Sequence, residues 1–152
     1  MKTFNSATDI IGAVGQGLGT SQWTTVTQEQ VNLFAEATGD HQWIHVDVEQ
    51  AQRESPFGGP IAHGYLSLSL LPMLGWQIYA VEGAKMGINY GSNKVRFPAP
   101  VPVGARVRLH SRLQSAEQLP DGSVQMVVLQ TLEIEGRPKP AVVAETISRV
   151  AF

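Results

Sequence analysis

The residues best suited to chemistry lie in two short segments of the sequence. The first, FAEATGDHQWIH, places the Asp40 carboxylate five positions before the His45 imidazole. The second, GGPIAHG, ends in His63 and Gly64, just before an apolar stretch. A carboxylate and an imidazole can form an acid/base pair, and the free backbone N–H groups of a helix start suit a developing oxyanion. The two segments are therefore interpreted as parts of one acid/base site.

Predicted helices adjoin both segments. Thr27 is a predicted N-cap, and Gln30 three residues later completes a capping box, while Gly39 is the expected stop of the same helix. An apolar helix is predicted from Ala62 to about Ile78, and a helix that is apolar on most sides is usually buried. Pro72 lacks a backbone N–H, so we expect a kink there. The two loops are thus expected to be held by helices.

The second half of the sequence predicts an antiparallel sheet. Residues of alternating polarity begin at Ala105, and the Asp121-Gly122 pair is typical of a hairpin. The expected extended segments are Met86–Tyr90, Asn93–Phe97, a strand from Ala105, Val124–Ile134 and Ala141–Val150. Long antiparallel strands with one buried helix indicate an α+β fold in which the helix lies against the sheet.

Composition excludes several classes of function. A chain of 152 residues with a net charge of -2 and scattered basic residues gives no sign of nucleic-acid binding. The absence of cysteine rules out thiol nucleophiles, disulfides and cysteine-ligated metals. The N-terminus lacks the apolar core of a signal peptide, and the longest apolar run is too short and polar to cross a membrane. We therefore expect a cytoplasmic protein with no membrane partner.

The pattern G-D-x-x-x-[LIV]-H, followed by H-G, resembles the signature of the MaoC-like, (R)-specific enoyl-CoA hydratases (hydratase type 2). The resemblance covers most of the chain, including NYGSNKVRFPAPVPVGARV. It implies a single hot-dog domain over residues 1–152, with an antiparallel sheet wrapped around a central helix. It also implies that Asp40 and His45 bind the catalytic water and that the Gly64 amide faces the thioester oxygen. The expected reaction is reversible syn hydration of trans-2-enoyl-CoA to (3R)-3-hydroxyacyl-CoA, without a cofactor.

The same resemblance suggests further site residues. Ser69 matches a family serine near the site, and His63 and Gln42 are expected to line it. The family's Asp-x-Asn-Pro is here Asp-His-Gln-Trp, in which Gln42 supplies the same amide group as Asn. This variant looks like the short, stand-alone subgroup that includes nodulation protein N-like members. Lys94 and Arg96, which alternate on a predicted strand, are candidates either for binding the CoA phosphates or for solvated surface charges. A homodimer with sheets joined edge to edge is expected.

Each of these residues also has a purely structural interpretation. Asp40 could be a turn residue after a helix, His45 a hydrogen-bonded strand histidine, and Gly64 a packing glycine where helix and sheet approach closely. His63 is expected to hydrogen-bond locally rather than react. Ser69 could bond the carbonyl one turn back along its helix.

A metal site is not expected. His41 and His45 have a spacing that binds zinc on a helix. However, Trp43 and its apolar neighbours favour a loop or an extended segment, and no third histidine lies at ligand spacing in the sequence.

Two other functions remain open. Hot-dog proteins include acyl-CoA thioesterases, which often carry a carboxylate on the central helix, whereas residues 65–76 contain neither Asp nor Glu. A non-catalytic acyl-CoA-binding protein would show no activity that depends on Asp40 or His45.

Overall fold

An antiparallel sheet occupies most of the second half of the chain in the computed structural model, which describes residues 1–152. The strands are β1 (Lys2–Phe4), β2 (Gly17–Thr20), β3 (Thr24–Thr25), β4 (Tyr79–Val81), β5 (Met86–Arg96), β6 (Arg106–Gln118), β7 (Val124–Ile134) and β8 (Val142–Ala151). The main sheet has the order β2-β6-β7-β8-β5, with β3 also paired to β6, and all of its pairings are antiparallel. A small parallel pair, β1 with β4, lies beside it.

Six helices complete the fold, and none has the length and apolarity that a membrane crossing needs. They are α1 (Ala7–Gly12), α2 (Gln28–Thr38), α3 (Trp43–Val46), α4 (Val48–Glu54), α5 (Gly64–Ser69) and α6 (Leu71–Gly75). The helices α1 and α6 pack against β6, and α5 packs against β8. The α+β layout expected from the sequence, with a helical segment against an antiparallel sheet, is confirmed.

The apolar segment that was predicted as one kinked helix forms two short helices. The first ends at Ser69 and the second begins at Leu71, so the chain is interrupted at Leu70. Pro72 lies in the first turn of α6, where a backbone N–H has no intrahelical acceptor and its loss costs little. The proline therefore starts a new helix rather than bending a continuous one.

The segments Met86–Tyr90 and Asn93–Phe97, predicted as separate, belong to the single strand β5. Its pairing with β8 shifts register between Asn89 and Gly91 and again between Asn93 and Arg96. These irregularities interrupt the alternation of side chains, which explains why the sequence pattern looked like two pieces.

The core lies between the sheet and the helices. Inward-facing residues of β7 alternate without exception with more exposed ones, and all six inward residues are buried. Leu74 of α6 and Ile10 of α1 are fully buried against this face. By contrast, no residue of β5 is buried, so one end of the sheet is left uncovered by the chain.

Candidate active site

The helix α2 delivers the first segment to the site. Its N-terminus has the predicted capping box, in which the Thr27 hydroxyl accepts from the Gln30 N–H and the Gln30 side chain accepts from the Thr27 N–H. Gly39 ends the helix with a left-handed φ of 80°, and its N–H donates to the Ala35 carbonyl. The predicted bounds of this helix are confirmed, and the reversal at Gly39 directs Asp40 away from the helix axis.

His45 lies on α3, a single helical turn, where a loop or extended segment had been predicted. That prediction was wrong because residues 43–46 are too few to show helical periodicity. The imidazole is buried, and its Nδ1–H donates to the Ile61 carbonyl at 2.7 Å. The Gln28 amide donates to the carbonyl of His45 at 2.8 Å. The ring is therefore held from both its side chain and its backbone.

The hydrogen bond to Ile61 determines the tautomer of His45. Because a carbonyl can only accept, Nδ1 carries the proton in the neutral ring and Nε2 keeps its lone pair. Burial lowers the pKa of His45 below its usual value of 6.5, and the neighbouring His63 lowers the pKa further. The Ile61 carbonyl and the Asp40 carboxylate oppose this by raising it. The net lowering favours a neutral imidazole, with Nε2 available as a base.

His63 connects the two segments. It is only 2% exposed, and its ring stacks on the ring of His45 with 3.9 Å between centroids. Its Nε2–H donates to the backbone carbonyl of Asp40 at 3.0 Å, a contact between distant parts of the sequence rather than the expected local one. Phe34 covers another side of the ring at 4.9 Å. His63 thus fixes the loop at Asp40 relative to His45.

The Asp40 carboxylate reaches the same place from the exposed side. One of its oxygens accepts from the Gln42 N–H at 3.3 Å. One side-chain ligand atom from each of Asp40, His45 and His63 lies within 4.8 Å of the other two. The structure therefore brings together the carboxylate and the imidazole that the sequence singled out.

These three groups have the composition of a metal site, in which His63 is a histidine that spacing in the sequence did not connect with His45. His63 is distant in sequence but adjacent in space. The ring geometry nevertheless disfavours shared coordination. A histidine binds a metal along the lone pair in its ring plane, and two rings stacked with 27° between their planes do not aim those lone pairs at one ion.

A cleft of about 310 Å³ opens beside His45 and is lined also by Gly64, Ser67 and Phe97. A Cβ at position 64 would lie 3.2 Å from carbons of the Phe97 ring, which is a tight contact. The missing side chain of Gly64 therefore lets Phe97 pack closely on the start of α5. The Gly64 N–H, at the first residue of α5, has no acceptor within the chain. The packing interpretation of Gly64 is thus supported, and its N–H is also available to a ligand.

Ser67 was missed by the sequence reasoning. Its hydroxyl donates to the His63 carbonyl at 3.4 Å, and it is buried beside the cleft. Its position one helical turn after His63 places it on the same side of α5, and this spacing was the available signal. Ser69, which had been predicted to line the site, is exposed, donates to the Tyr65 carbonyl at 2.7 Å and borders a different cavity. Ser69 therefore does not line this cleft, because it lies two residues further around the helix.

The remaining candidates lie outside this cleft. Gln42 is exposed at the start of α3, and its side chain makes no capping bond. Lys94 pairs with Glu145 at 3.3 Å, and Arg96 donates to the neighbouring Val95 carbonyl at 2.7 Å. Both cations are exposed on β5.

Comparisons with known proteins agree with this geometry. The MaoC like domain model matches residues 9–133. A 3-hydroxyacyl-thioester dehydratase Z of Mycobacterium tuberculosis is 59% identical over 149 residues, covering 98% of each chain. Nodulation protein N of Rhizobium meliloti is 46% identical over 150 residues, covering 97% of this chain and 92% of the relative. The unliganded R-hydratase PhaJ1 from Pseudomonas aeruginosa superposes with a TM-score of 0.70 at 25% identity, covering 91% of this chain and 81% of that one.

The resemblance read from the two segments is therefore confirmed, including the likeness to nodulation protein N. The antiparallel sheet with its short central helices is the hot-dog fold that this likeness implied. The chain belongs to the MaoC-like domain family.

Proposed function

We propose that the protein is an (R)-specific enoyl-thioester hydratase, equivalently a 3-hydroxyacyl-thioester dehydratase. The observation that carries this proposal is the buried His45 imidazole, which keeps Nε2 free because Nδ1 is bonded to Ile61. A carboxylate and an unbonded backbone N–H stand beside it. The printed names of the Mycobacterium tuberculosis and Pseudomonas aeruginosa relatives support the same reaction class.

In the proposed hydration, one water lies between the Asp40 carboxylate and Nε2 of His45. The water oxygen forms a bond to C3 of a trans-2-enoyl thioester while the pair takes one of its protons. The electrons of the C2–C3 double bond move toward the thioester carbonyl, and the pair returns a proton to C2 on the same face. The atoms of one water are thereby added, giving a (3R)-3-hydroxyacyl thioester. Dehydration is the same path reversed.

The Gly64 N–H is the proposed donor to the thioester oxygen, where negative charge develops. Gly64 and His45 line the same cleft, so one acyl group can meet both. A fixed donor in a water-poor site stabilises such charge by about 3–4 kcal/mol. The Phe97 ring packs closely on Gly64 and lines the same cleft.

No feature of the site specifically favours a thioesterase or a non-catalytic acyl-CoA-binding protein. A thioesterase of this fold would need a carboxylate near the thioester on the central helix, and α5 and α6 contain none. A binding protein without catalysis would have no need for a buried histidine with one free nitrogen beside a carboxylate.

Incubation with crotonyl-CoA tests the proposal. We expect the enoyl absorbance to fall without release of free thiol, and the product to be the (3R) enantiomer. Thiol release would instead support a thioesterase, and a (3S) product would contradict the family mechanism. No reaction across several chain lengths would favour a binding protein.

The proposed assembly is a homodimer joined along β5. This strand pairs only with β8, so its other edge presents eleven residues without a partner strand. Met86, Ile88 and Tyr90 on it are each about half exposed. A long apolar edge needs a partner to avoid aggregation, and a second copy supplies an identical edge. Light scattering should give the mass of two chains; a mass of one chain at every concentration would contradict the dimer.

A further inference from the structure

A second cavity, of about 560 Å³, lies between the central helices and the sheet. Its helical wall is mostly apolar and includes Leu68, Leu71 and Pro72, with Ser69 as its one hydroxyl group. Its sheet wall is formed by β5, β7 and β8 and carries several hydroxyl and amide groups. A volume of this size suits the acyl part of a small ligand, and the first cleft is little more than half as large. The two cavities adjoin consecutive residues of α5, Ser67 and Leu68.

Gln130 is the unusual group in this wall. It is the one polar residue among the six inward-facing positions of β7, and it is only 4% exposed. The others are Val124, Met126, Val128, Leu132 and Ile134. Burying an amide in an apolar core is unfavourable unless its hydrogen bonds are satisfied. A side chain that served only to fill this space would therefore be apolar.

The hydrogen bonds of Gln130 define which way its amide points. The Ser111 hydroxyl, directly opposite on β6, donates to Oε1 at 2.6 Å. The amide nitrogen is turned toward β8, where it donates to the Thr146 hydroxyl at 3.4 Å, and Thr146 in turn donates to the Val128 carbonyl at 3.3 Å. An amide nitrogen has two N–H groups, and the second one has no acceptor in the chain. It is a buried donor beside the cavity.

We infer that this cavity holds the acyl chain and that Gln130 selects acyl groups that carry a hydrogen-bond-accepting oxygen, such as a hydroxyl, keto or ether group. This inference rests on the proposed function, because the ligand is taken to be the acyl part of the thioester substrate. Thr146 and Ser148, which also line the cavity from β8, extend the polar surface around Gln130. A plain alkyl chain leaves the spare N–H unpaired, whereas an oxygen at the right carbon pairs with it.

The test compares trans-2-enoyl-CoA substrates of equal length, with a plain chain or with one hydroxyl placed at each carbon from the fifth to the last. We expect one hydroxylated substrate to exceed the plain one in kcat/KM by about tenfold, the usual size of one buried hydrogen bond. Gln130→Met keeps the shape of the side chain and removes the donor. It should abolish this preference, so that the plain and hydroxylated substrates of equal length have the same kcat/KM in this variant.

A second variant protects the test from a folding defect. Gln130→Met leaves the buried Ser111 hydroxyl without an acceptor, so the double variant with Ser111→Ala restores an apolar pair and should give the same loss of preference. In the unaltered protein, equal kcat/KM for plain and hydroxylated substrates would overturn the inference and leave the hydratase proposal intact. A preference that survives in both variants would do the same. No hydration of any trans-2-enoyl-CoA in this series by the unaltered protein would overturn both.

Discussion

The strands β6 and β5 are of similar length but have opposite surroundings. β6 has thirteen residues, pairs on both edges and buries Val107, Leu109, Ser111 and Leu113. β5 has eleven residues, pairs on one edge and buries none. The helices α1 and α6 pack against β6, whereas no helix packs extensively on β5.

The packed core and the cavities therefore lie toward opposite ends of the same sheet. We call the end with β6 and β7 the covered end and the end with β5 the uncovered end. The covered end supplies the closely packed core, in which apolar burial stabilises the fold. The walls of the two cavities instead include residues toward the other end of the sheet: Phe97 and Ala141 line the first cleft, and residues of β5 and β8 line the second cavity. This end of the sheet leaves room for the proposed substrate and for the proposed second subunit.

The largest expected effect is on kcat, when the proposed acid/base pair is altered. Asp40→Asn and His45→Gln should each lower kcat by about 10²–10⁴-fold, because each removes one group of the acid/base pair. Crotonyl-CoA hydration measures the loss, and thermal unfolding should show that both variants remain folded. The exposed His41→Gln, next to Asp40 but bonded elsewhere, is the matched control and should retain full activity. A loss of less than tenfold in both site variants would remove the pair from the mechanism.

At the covered end the expected effect is on stability alone. Leu132→Ala empties a fully buried position of β7 and should lower the free energy of unfolding by about 2–5 kcal/mol. Leu33→Ala, on an exposed position of α2, serves as the control and should change it by less than about 0.5 kcal/mol. Urea denaturation gives both values. If Leu132→Ala lowered kcat of the folded enzyme as strongly as His45→Gln, the separation of the two ends would be wrong.

A smaller effect is expected on assembly. Ile88→Lys places a charge on the apolar edge of β5 and should raise the dimer Kd by at least about tenfold. Leu33→Lys makes the same chemical change on an exposed apolar residue away from that edge, and should leave the Kd unchanged. Sedimentation at several concentrations measures both. An unchanged Kd for Ile88→Lys would move the interface away from β5.

The comparison of the strands also explains what the sequence could predict. The strand β7 was predicted with its observed bounds, because the Asp121-Gly122 turn marks where it begins. The capping box at Thr27 and the stop at Gly39 were likewise predicted, since both depend on neighbouring residues. On β5 no face is buried, so its residues do not alternate between apolar and polar types. The bulges also made the strand look like two separate pieces in the sequence.

In the site, the residue types were predictable and their contacts were not. The spacing of Asp40 and His45 pointed to a pair, but the stacking of His63 on His45 joins segments far apart in sequence. The hydrogen bond from His45 to the Ile61 carbonyl involves a backbone group, so it could not be predicted from the type of residue at position 61. The choice between Ser67 and Ser69 depended on how α5 is rotated about its axis, and the break at Leu70 made that rotation hard to extrapolate.

The last and smallest expected effect is a difference in pH dependence between the two ends. Burial lowers the pKa of His45, so just below pH 6.5 the unfolded chain binds a proton that the folded chain does not. Stability that depends on His45 should therefore be present above pH 6.5 and decline as the pH falls through the lowered value. The acid limb of kcat/KM should also lie below pH 6.5, because His45 must be neutral to act as a base.

At the covered end, the corresponding group is Glu133 on the outer side of β7. Its hydrogen bond with Arg108, and next that with His110, lowers its pKa below the usual 4.5. Stability that depends on Glu133 should be present above pH 4.5 and decline only in more acidic solution.

Urea midpoints measured from pH 3 to 8 on the unaltered protein, His45→Gln and Glu133→Gln separate the two windows. The difference between the unaltered protein and His45→Gln should vary just below pH 6.5, and that for Glu133→Gln should vary below pH 4.5. A variation of both differences in the same window would show that one group, and not the two ends of the sheet, governs the acid response.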